Sequence, residues 1–275
     1  MKPFKIANIE IKKKGPLTII CGPCVMESEE HTLSCAKFLS ELIPSIDNLQ
    51  LVFKASYDKA NRNSIDSYRG PGIDEGLKIL AKVKTTYNIP VTSDVHTPEE
   101  VEKAKSVLDI IQTPAFLCRQ TDLIVAAAQS NKPVNVKKGQ FLAPWDMKNV
   151  VDKLLHFGND KIILTDRGST FGYNNLVSDF RSIPIMQSLG HFVCYDASHS
   201  IQLPGGLGKT SGGQREFIPT LAKAAIASGA DLLFLEAHPD PQKAKCDASS
   251  VFPFSELEKF LTQIAALYET VKNLC

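Results

Sequence analysis

The sequence predicts an eight-stranded (β/α) barrel, an α/β fold, on three observations: eight short apolar runs ending in polar or turn residues, amphipathic stretches between them, and a suitable length. The runs are PLTIICGPC, LQLVFKAS, IPVTSDV, DIIQTP, PVNVKKG, KIILTDRG, FVCYDASH and DLLFLEAH. They are continuously apolar rather than alternating, which marks a parallel sheet covered on both faces, and eight such units close more naturally than they lie open. At 275 residues, 43% of them hydrophobic and 22% charged, the chain suits one barrel domain over 1–275 with a substantial core.

The elements follow in order. FKIANIEI alternates before the first barrel strand, which predicts a β-hairpin plugging the barrel bottom. Between the strands lie EEHTLSCAKFLSEL, GLKILAKVKTTYN, TPEEVEKAKSVL, DLIVAAAQSN and DMKNVVDKLLHF, each at the helical period with charges on the outer face. Thr97-Pro98-Glu99-Glu100 gives one helix its start, a cap followed by proline and acids. A last helix is expected from Ser255 to Leu274. Two long connections, Gln202 to Gln214 and Pro239 to Pro253, have the length of functional lids. The first contains LPGGLGKTSGG, which lacks the phosphate-loop spacing and reads as a lid with glycine hinges.

Charge and targeting features narrow the function classes. Lys+Arg at 31 against Asp+Glu at 30 leaves a net charge of +1, so no overall field favours nucleic acid or an anionic membrane. MKPFKIANIEIKKKG lacks the apolar core of a signal peptide, and no stretch reaches the ~18 apolar residues of a membrane span. The expected compartment is the cytoplasm. Cys21, Cys24, Cys35, Cys118, Cys194, Cys246 and Cys275 make an odd, scattered set, which reads as reduced thiols. Cys21 and Cys24 do form a C-x-x-C pair, for which a redox role is the lesser reading.

The strands end in order at Cys24, Lys54, Asp94, Gln112, Lys137, Arg167, His199 and Glu236. Active sites of barrels are built at this rim, so eight polar groups there argue for catalysis. Lys54, Lys137 and Arg167, with Lys59, Arg62 and Arg119 in nearby loops, suit a ligand carrying two separate anionic groups, phosphates above all. Taken alone, loop lysines such as Lys59 and Lys138 read as solvated surface charges. Cys24, His199 and Glu236 form a second group, because strands 7, 8 and 1 become neighbours about 4.8 Å apart when the barrel closes. They can converge on a divalent cation, with Asp247 as a fourth ligand and His238 or Cys246 as substitutes. Mixed S, N and O donors suit Zn²⁺, Fe²⁺, Mn²⁺ or Co²⁺. Each also has a mundane alternative: Cys24 a buried hydrophobe, His199 a core imidazole, Glu236 a cap for a loop amide.

At Gly22-Pro23-Cys24, KASYDKANRNS, VNVKKGQF, DRGSTFGYNNL, DASHSIQLPGG and EAHPDPQKAKCDA, nearly the whole chain resembles the 3-deoxy-D-manno-octulosonate 8-phosphate synthases. The resemblance implies the same barrel and the condensation of phosphoenolpyruvate with arabinose 5-phosphate, releasing phosphate, for lipopolysaccharide assembly. It implies phosphoenolpyruvate at Lys54, Lys59, Gln112, Lys137, Gln140 and Arg167. The sugar phosphate falls near Arg62, often supplied across a subunit boundary in a homotetramer, and Asn61 and Asp94 join the substrate-binding set. For Asp94, a sugar-hydroxyl contact and a salt bridge to Lys54 are both open. Cysteine after Gly-Pro marks the metal-dependent class, with Cys24, His199, Glu236 and Asp247 as ligands. Lys54, His199 and Asp247 are the candidate catalytic residues. Asn63 departs from the serine of the family's motif, and its amide can donate in place of the hydroxyl.

Three other readings compete. A 3-deoxy-arabino-heptulosonate 7-phosphate synthase shares the Gly-Pro-Cys block but carries a KPRTS-like segment where KASYDKANRNS stands here. A Schiff-base aldolase would use Lys54 or Lys137 as nucleophile. A non-catalytic sugar-phosphate-binding barrel would not need the acid, thiol and imidazole together.

Overall fold

A computed structural model describes residues 1–205 and 212–274 of the chain. Eight parallel strands form the barrel: β1 Leu17–Gly22, β2 Leu49–Lys54, β3 Val91–Asp94, β4 Ile110–Thr113, β5 Val134–Lys137, β6 Ile162–Asp166, β7 Phe192–Asp196 and β8 Leu232–His238. Each pairs with the next, and β8 closes the ring by pairing with both β7 and β1. Eight helices follow the strands in turn: α1 Glu29–Ser45, α2 Ile73–Tyr87, α3 Pro98–Ala104, α4 Thr121–Gln129, α5 Met147–His156, α6 Ser182–Gln187, α7 Ile218–Ala227 and α8 Phe254–Leu274. The (β/α)8 barrel expected from the strand count is the fold of the chain.

Alternation along each strand sorts the core into two layers. On β1, Leu17, Ile19 and Cys21 point outward and pack with Cys35, Ala36, Leu39 and Ile43 of α1, while Ile20 points into the barrel. The inner layer combines Ile20, Val52, Ile110, Ile163, Phe192, Leu232 and Phe234 with Phe4, Ile6 and Ile11. These last three come from the hairpin Phe4–Ile6 and Ile9–Ile11. Phe4 meets Phe192, the first residue of β7, edge-on with ring centroids 5.7 Å apart. The hairpin therefore plugs the end where the strands begin, and the opposite end stays open for chemistry.

Helix ends bear out the capping logic. Thr97 accepts the Glu100 N–H at 3.3 Å ahead of Pro98, and Ser28 does the same for His31 at 3.0 Å on α1. Helices α6 and α7 were not apparent from the periodicity. SIPIMQ is six residues long and IPTLAKAAIA is apolar nearly all round, so neither shows a charged outer face.

The two long connections differ from simple lids. Gln202–Leu203 pairs antiparallel with Gly212–Gly213, and residues 206–211, in the middle of the expected lid, lie outside the described residues. The second connection is a packed strap. Cys246 and Val251 are buried in it against Cys24 and Val25, and Phe252–Pro253 adds a short parallel strand beside β8.

Candidate active site

Close approach of β1 to β2 starts the site. A Cβ on Gly22 would lie 2.0 Å from the Lys54 carbonyl oxygen, so only glycine lets these strand ends meet. Cys24 then stands beside Lys54, whose Nζ donates to the Cys24 carbonyl at 3.3 Å. Lys54 also donates to Glu236 Oε1 at 2.6 Å, and Lys59 reaches the same oxygen at 3.4 Å. Burial opposes the charge on Glu236, but Lys54 and Lys59 overcome it and hold the carboxyl well below the usual range. Lys59 gains in return: burial disfavours its charge, yet Cys24 and Glu236 hold it above an ordinary lysine.

Asp94 accepts from Ser56 and Gln112, both at 2.5 Å, and lies 3.9 Å from Lys54. Of its two open roles, the ion pair with Lys54 is the one seen in this geometry. Burial works against its charge, and Lys54, Lys59 and the two hydrogen bonds keep it ionised. Lys137 pairs with Asp196 and sits 3.3 Å from the Phe234 ring centroid; its burial pulls its pKa below that of a free lysine. Arg167 donates to the His199 carbonyl at 2.8 Å and to Gln202 Oε1 at 2.6 Å, and its buried Nε has no partner among the described residues.

On the other side, His199, Glu236 and Asp247 offer ligand atoms within 4.8 Å of one another, and so do Cys24, Cys246 and Asp247. The Cys24 thiol lies 3.7 Å from Asp247 Oδ2. Three observations fit these groups to a divalent cation. Glu236 Oε2 is buried with no hydrogen-bond partner among the described residues, 3.5 Å from His199 Nε2. His199 Nδ1 is engaged by Asp196 at 2.7 Å, which leaves the Nε2 lone pair facing the carboxylates. The donors are S, N and O, the mixture that thiophilic and borderline ions take. Asp247, at φ 48 in the strap, accepts from Gln202 at 2.9 Å and lies 3.6 Å from Arg62. His238 points elsewhere: its Nδ1 accepts the Asp240 N–H at 3.0 Å, which puts its ring proton on Nε2, facing Glu27 at 3.3 Å.

Two adjoining compartments, which share lining residues, lie over these residues. The inner one is lined by Lys54, Asp94, His96, Gln112 and Lys137, and the outer one by Arg62, Asn63, Gln140, Gln202 and Asp247. Lys59, Asn61, Phe116, Arg167 and His199 line both. Every residue expected to bind substrate thus borders one compartment or the other. Cys24 and Glu236 stand directly behind it.

Several readings change. Lys59 and Lys138 are buried rather than solvated, and Arg119 is exposed and borders neither compartment. Arg62 lies in its own chain's pocket, 2.9 Å from Cys246 Sγ and 3.6 Å from Asp247 Oδ1. Sequence reasoning missed Asp196, Gln202 and His96. His96 is held by Glu100 at 2.9 Å, itself bound to the Tyr57 hydroxyl at 2.8 Å, and its pKa is raised: burial opposes the charge, but Glu100 and Asp94 prevail.

The model of the DAHP synthetase I family matches residues 3–273. The chain belongs to that family. Among its relatives, the 2-dehydro-3-deoxyphosphooctonate aldolase of Protochlamydia amoebophila is 56% identical over 273 residues, 99% of each chain. Proteins of the same name from Geotalea daltonii and Geobacter sulfurreducens are 54% and 56% identical, over 99% and 98% of this chain. Within the family the chain is therefore an enzyme of the octulosonate group, as the KASYDKANRNS segment indicated, rather than of the heptulosonate group.

Proposed function

We propose that the enzyme joins phosphoenolpyruvate, D-arabinose 5-phosphate and water into 3-deoxy-D-manno-octulosonate 8-phosphate and inorganic phosphate, a product used in lipopolysaccharide assembly. The observation that carries this reading is the buried cluster of Lys54, Lys59, Lys137 and Arg167 lining one compartment with His199, with Asp247 lining the adjoining one. Four cations out of water match a small, multiply charged anion. The relatives' names agree with it.

In this reading, Lys54, Lys137, Gln112 and Arg167 hold the carboxylate and phosphate of phosphoenolpyruvate in the inner compartment. Gln140 contributes its amide N–H from the outer one. Arg62, Asn61 and Asn63 at the outer mouth take the sugar phosphate, which points the open-chain aldehyde inward. C3 of phosphoenolpyruvate then bonds to the aldehyde carbon, whose oxygen takes a proton. Positive charge at C2 is met by water, and the C2–O bond to phosphate breaks. Lys54, His199 and Asp247 are the candidates for these proton transfers, and most of the rate comes from positioning. A divalent cation (Zn²⁺, Fe²⁺, Mn²⁺ or Co²⁺) held by Cys24, His199, Glu236 and Asp247 would supply orientation and polarisation of the aldehyde.

Phosphate release tests the reading, with arabinose 5-phosphate compared against erythrose 4-phosphate. The five-carbon sugar is expected to give the larger kcat/KM by at least about tenfold, a difference of about 1.4 kcal/mol in transition-state binding. A preference for erythrose 4-phosphate would overturn it. Chelation should abolish turnover and Mn²⁺ should restore it; full activity in metal-free protein would remove the cation from the scheme. We place the reaction in the cytoplasm, which suits six free, buried thiols among the described residues. We assign the assembly as a homotetramer.

A further inference from the structure

We propose that Asp196 is a positioning residue that couples the two halves of the site, so that cation binding at His199 and anion binding at Lys137 reinforce each other. The inference rests on the function proposed above, which supplies the cation and the anion. Asp196 ends β7, is fully buried, and borders neither compartment. Its Oδ2 accepts from Lys137 Nζ and also from His199 Nδ1 at 2.7 Å, while Oδ1 accepts the His199 backbone N–H at 2.9 Å. One carboxylate oxygen is thus shared between a cation of the anion-binding half and a ring of the ligand half. The second oxygen fixes the loop that carries the ring.

The sign of the coupling follows from the proton on Nδ1. A cation on Nε2 withdraws electrons from the imidazole and makes Nδ1–H a stronger donor. The charge of Asp196 is drawn toward the ring and its hold on Lys137 weakens, so Lys137 is freer to meet an incoming anion. The converse holds as well. An anion that draws Lys137 off Asp196 leaves that carboxylate a better acceptor for Nδ1–H, which makes Nε2 a better ligand. Linkage requires the two effects to be equal. Glu236 forms a parallel link, with Oε1 on Lys54 and Lys59 and Oε2 facing His199.

The test uses the purified full chain, Mn²⁺ and phosphoenolpyruvate. Free Mn²⁺ is counted by its electron paramagnetic resonance signal, with and without saturating phosphoenolpyruvate; phosphoenolpyruvate affinity is measured calorimetrically with and without Mn²⁺. Each ligand should tighten the other by about fivefold or more, and by the same factor. Asp196→Asn should weaken Mn²⁺ by about 10- to 100-fold and cut the coupling factor to less than half its wild-type value. A merely structural role would weaken binding and leave the factor unchanged. Lys137→Met keeps the Asp196–His199 bonds and should lower the factor similarly, so the test survives if Asp196→Asn does not fold. Independent binding in the wild type, or an undiminished factor in Lys137→Met, overturns the proposal and leaves the function standing. Absence of Mn²⁺ binding altogether also overturns the proposal and removes the cation from the scheme, while phosphate release with arabinose 5-phosphate decides the function separately.

Discussion

Lys138 directly follows β5 and carries its charge into the fold rather than out of it. Its Nζ lies 3.3 Å from Asp166 Oδ1 and donates to the carbonyls of Leu142 and Gly168 and to the Ser169 hydroxyl at 3.2–3.4 Å. One cation therefore ties the loop after β5 to the loop after β6. Truncating one member of a buried pair strands the other, so Lys138→Met should cost about 3–5 kcal/mol in urea unfolding. A loss below about 1 kcal/mol would place this pair with ordinary surface bridges. A lone lysine after a strand carries no periodic sign of burial, which is why the sequence suggested solvent there. Asp196 was illegible for a related reason: its importance lies in Lys137, two strands away, and in His199, whose ring turns back to meet it. The closeness of His199 and Glu236 was legible because strand order alone makes β7 and β8 neighbours, whereas Cys24 groups with Cys246 and Asp247 of the strap rather than with those two. Asp247 reached the set only through the resemblance and loop length, since nothing in an irregular strap announces a left-handed residue aimed at the site.

At the scale of elements, strands were easy to read and helices unevenly so. Eight continuously apolar runs admit one arrangement, a covered parallel sheet, whereas α6 and α7 lack the amphipathic contrast that reveals a helix. The hairpin was legible through alternation, and its energetic role now has named contacts. Phe4 packs with Phe192 in the same cluster as Ile20, Val52 and Leu232, at the closed end of the barrel. Phe4→Ala should therefore destabilise the fold by about 3 kcal/mol or more through a cavity at the barrel base. Because the lysines, His199 and Asp247 lie at the opposite end, kcat/KM at a temperature well below unfolding should stay within about twofold, a difference of about 0.4 kcal/mol. A large kinetic effect with little change in the urea midpoint would show that the plug reaches the site, contrary to this account.

The whole molecule leaves one surface unexplained by a solitary barrel. Around the mouth, Phe116, Phe141, Trp145, Phe171 and Tyr173 are all more than half exposed, with Trp145 at 63% and Tyr173 at 99%. The loops are joined: the Thr170 N–H donates to the Gln140 carbonyl at 2.9 Å, and a Cβ on Gly139 would meet the Phe141 ring at 2.7 Å and the Ala115 carbonyl at 3.1 Å. Large exposed apolar patches on soluble proteins mark interaction sites. A neighbouring copy on this rim would bury rings whose exposure otherwise works against stability, and would narrow the mouth beside Phe116, which lines both compartments. Sedimentation at micromolar concentration should therefore give four times the mass of one chain. Trp145 is the only tryptophan, so its emission reports the same event. It should be blue-shifted in the assembly and move to the red on dilution as copies separate. The double substitution Phe171→Asp with Tyr173→Asp should give smaller species with red-shifted emission at every concentration. A wild-type chain that sediments as one copy, with a solvent-exposed tryptophan spectrum throughout, would refute the tetramer and leave the barrel's own site complete without a neighbour.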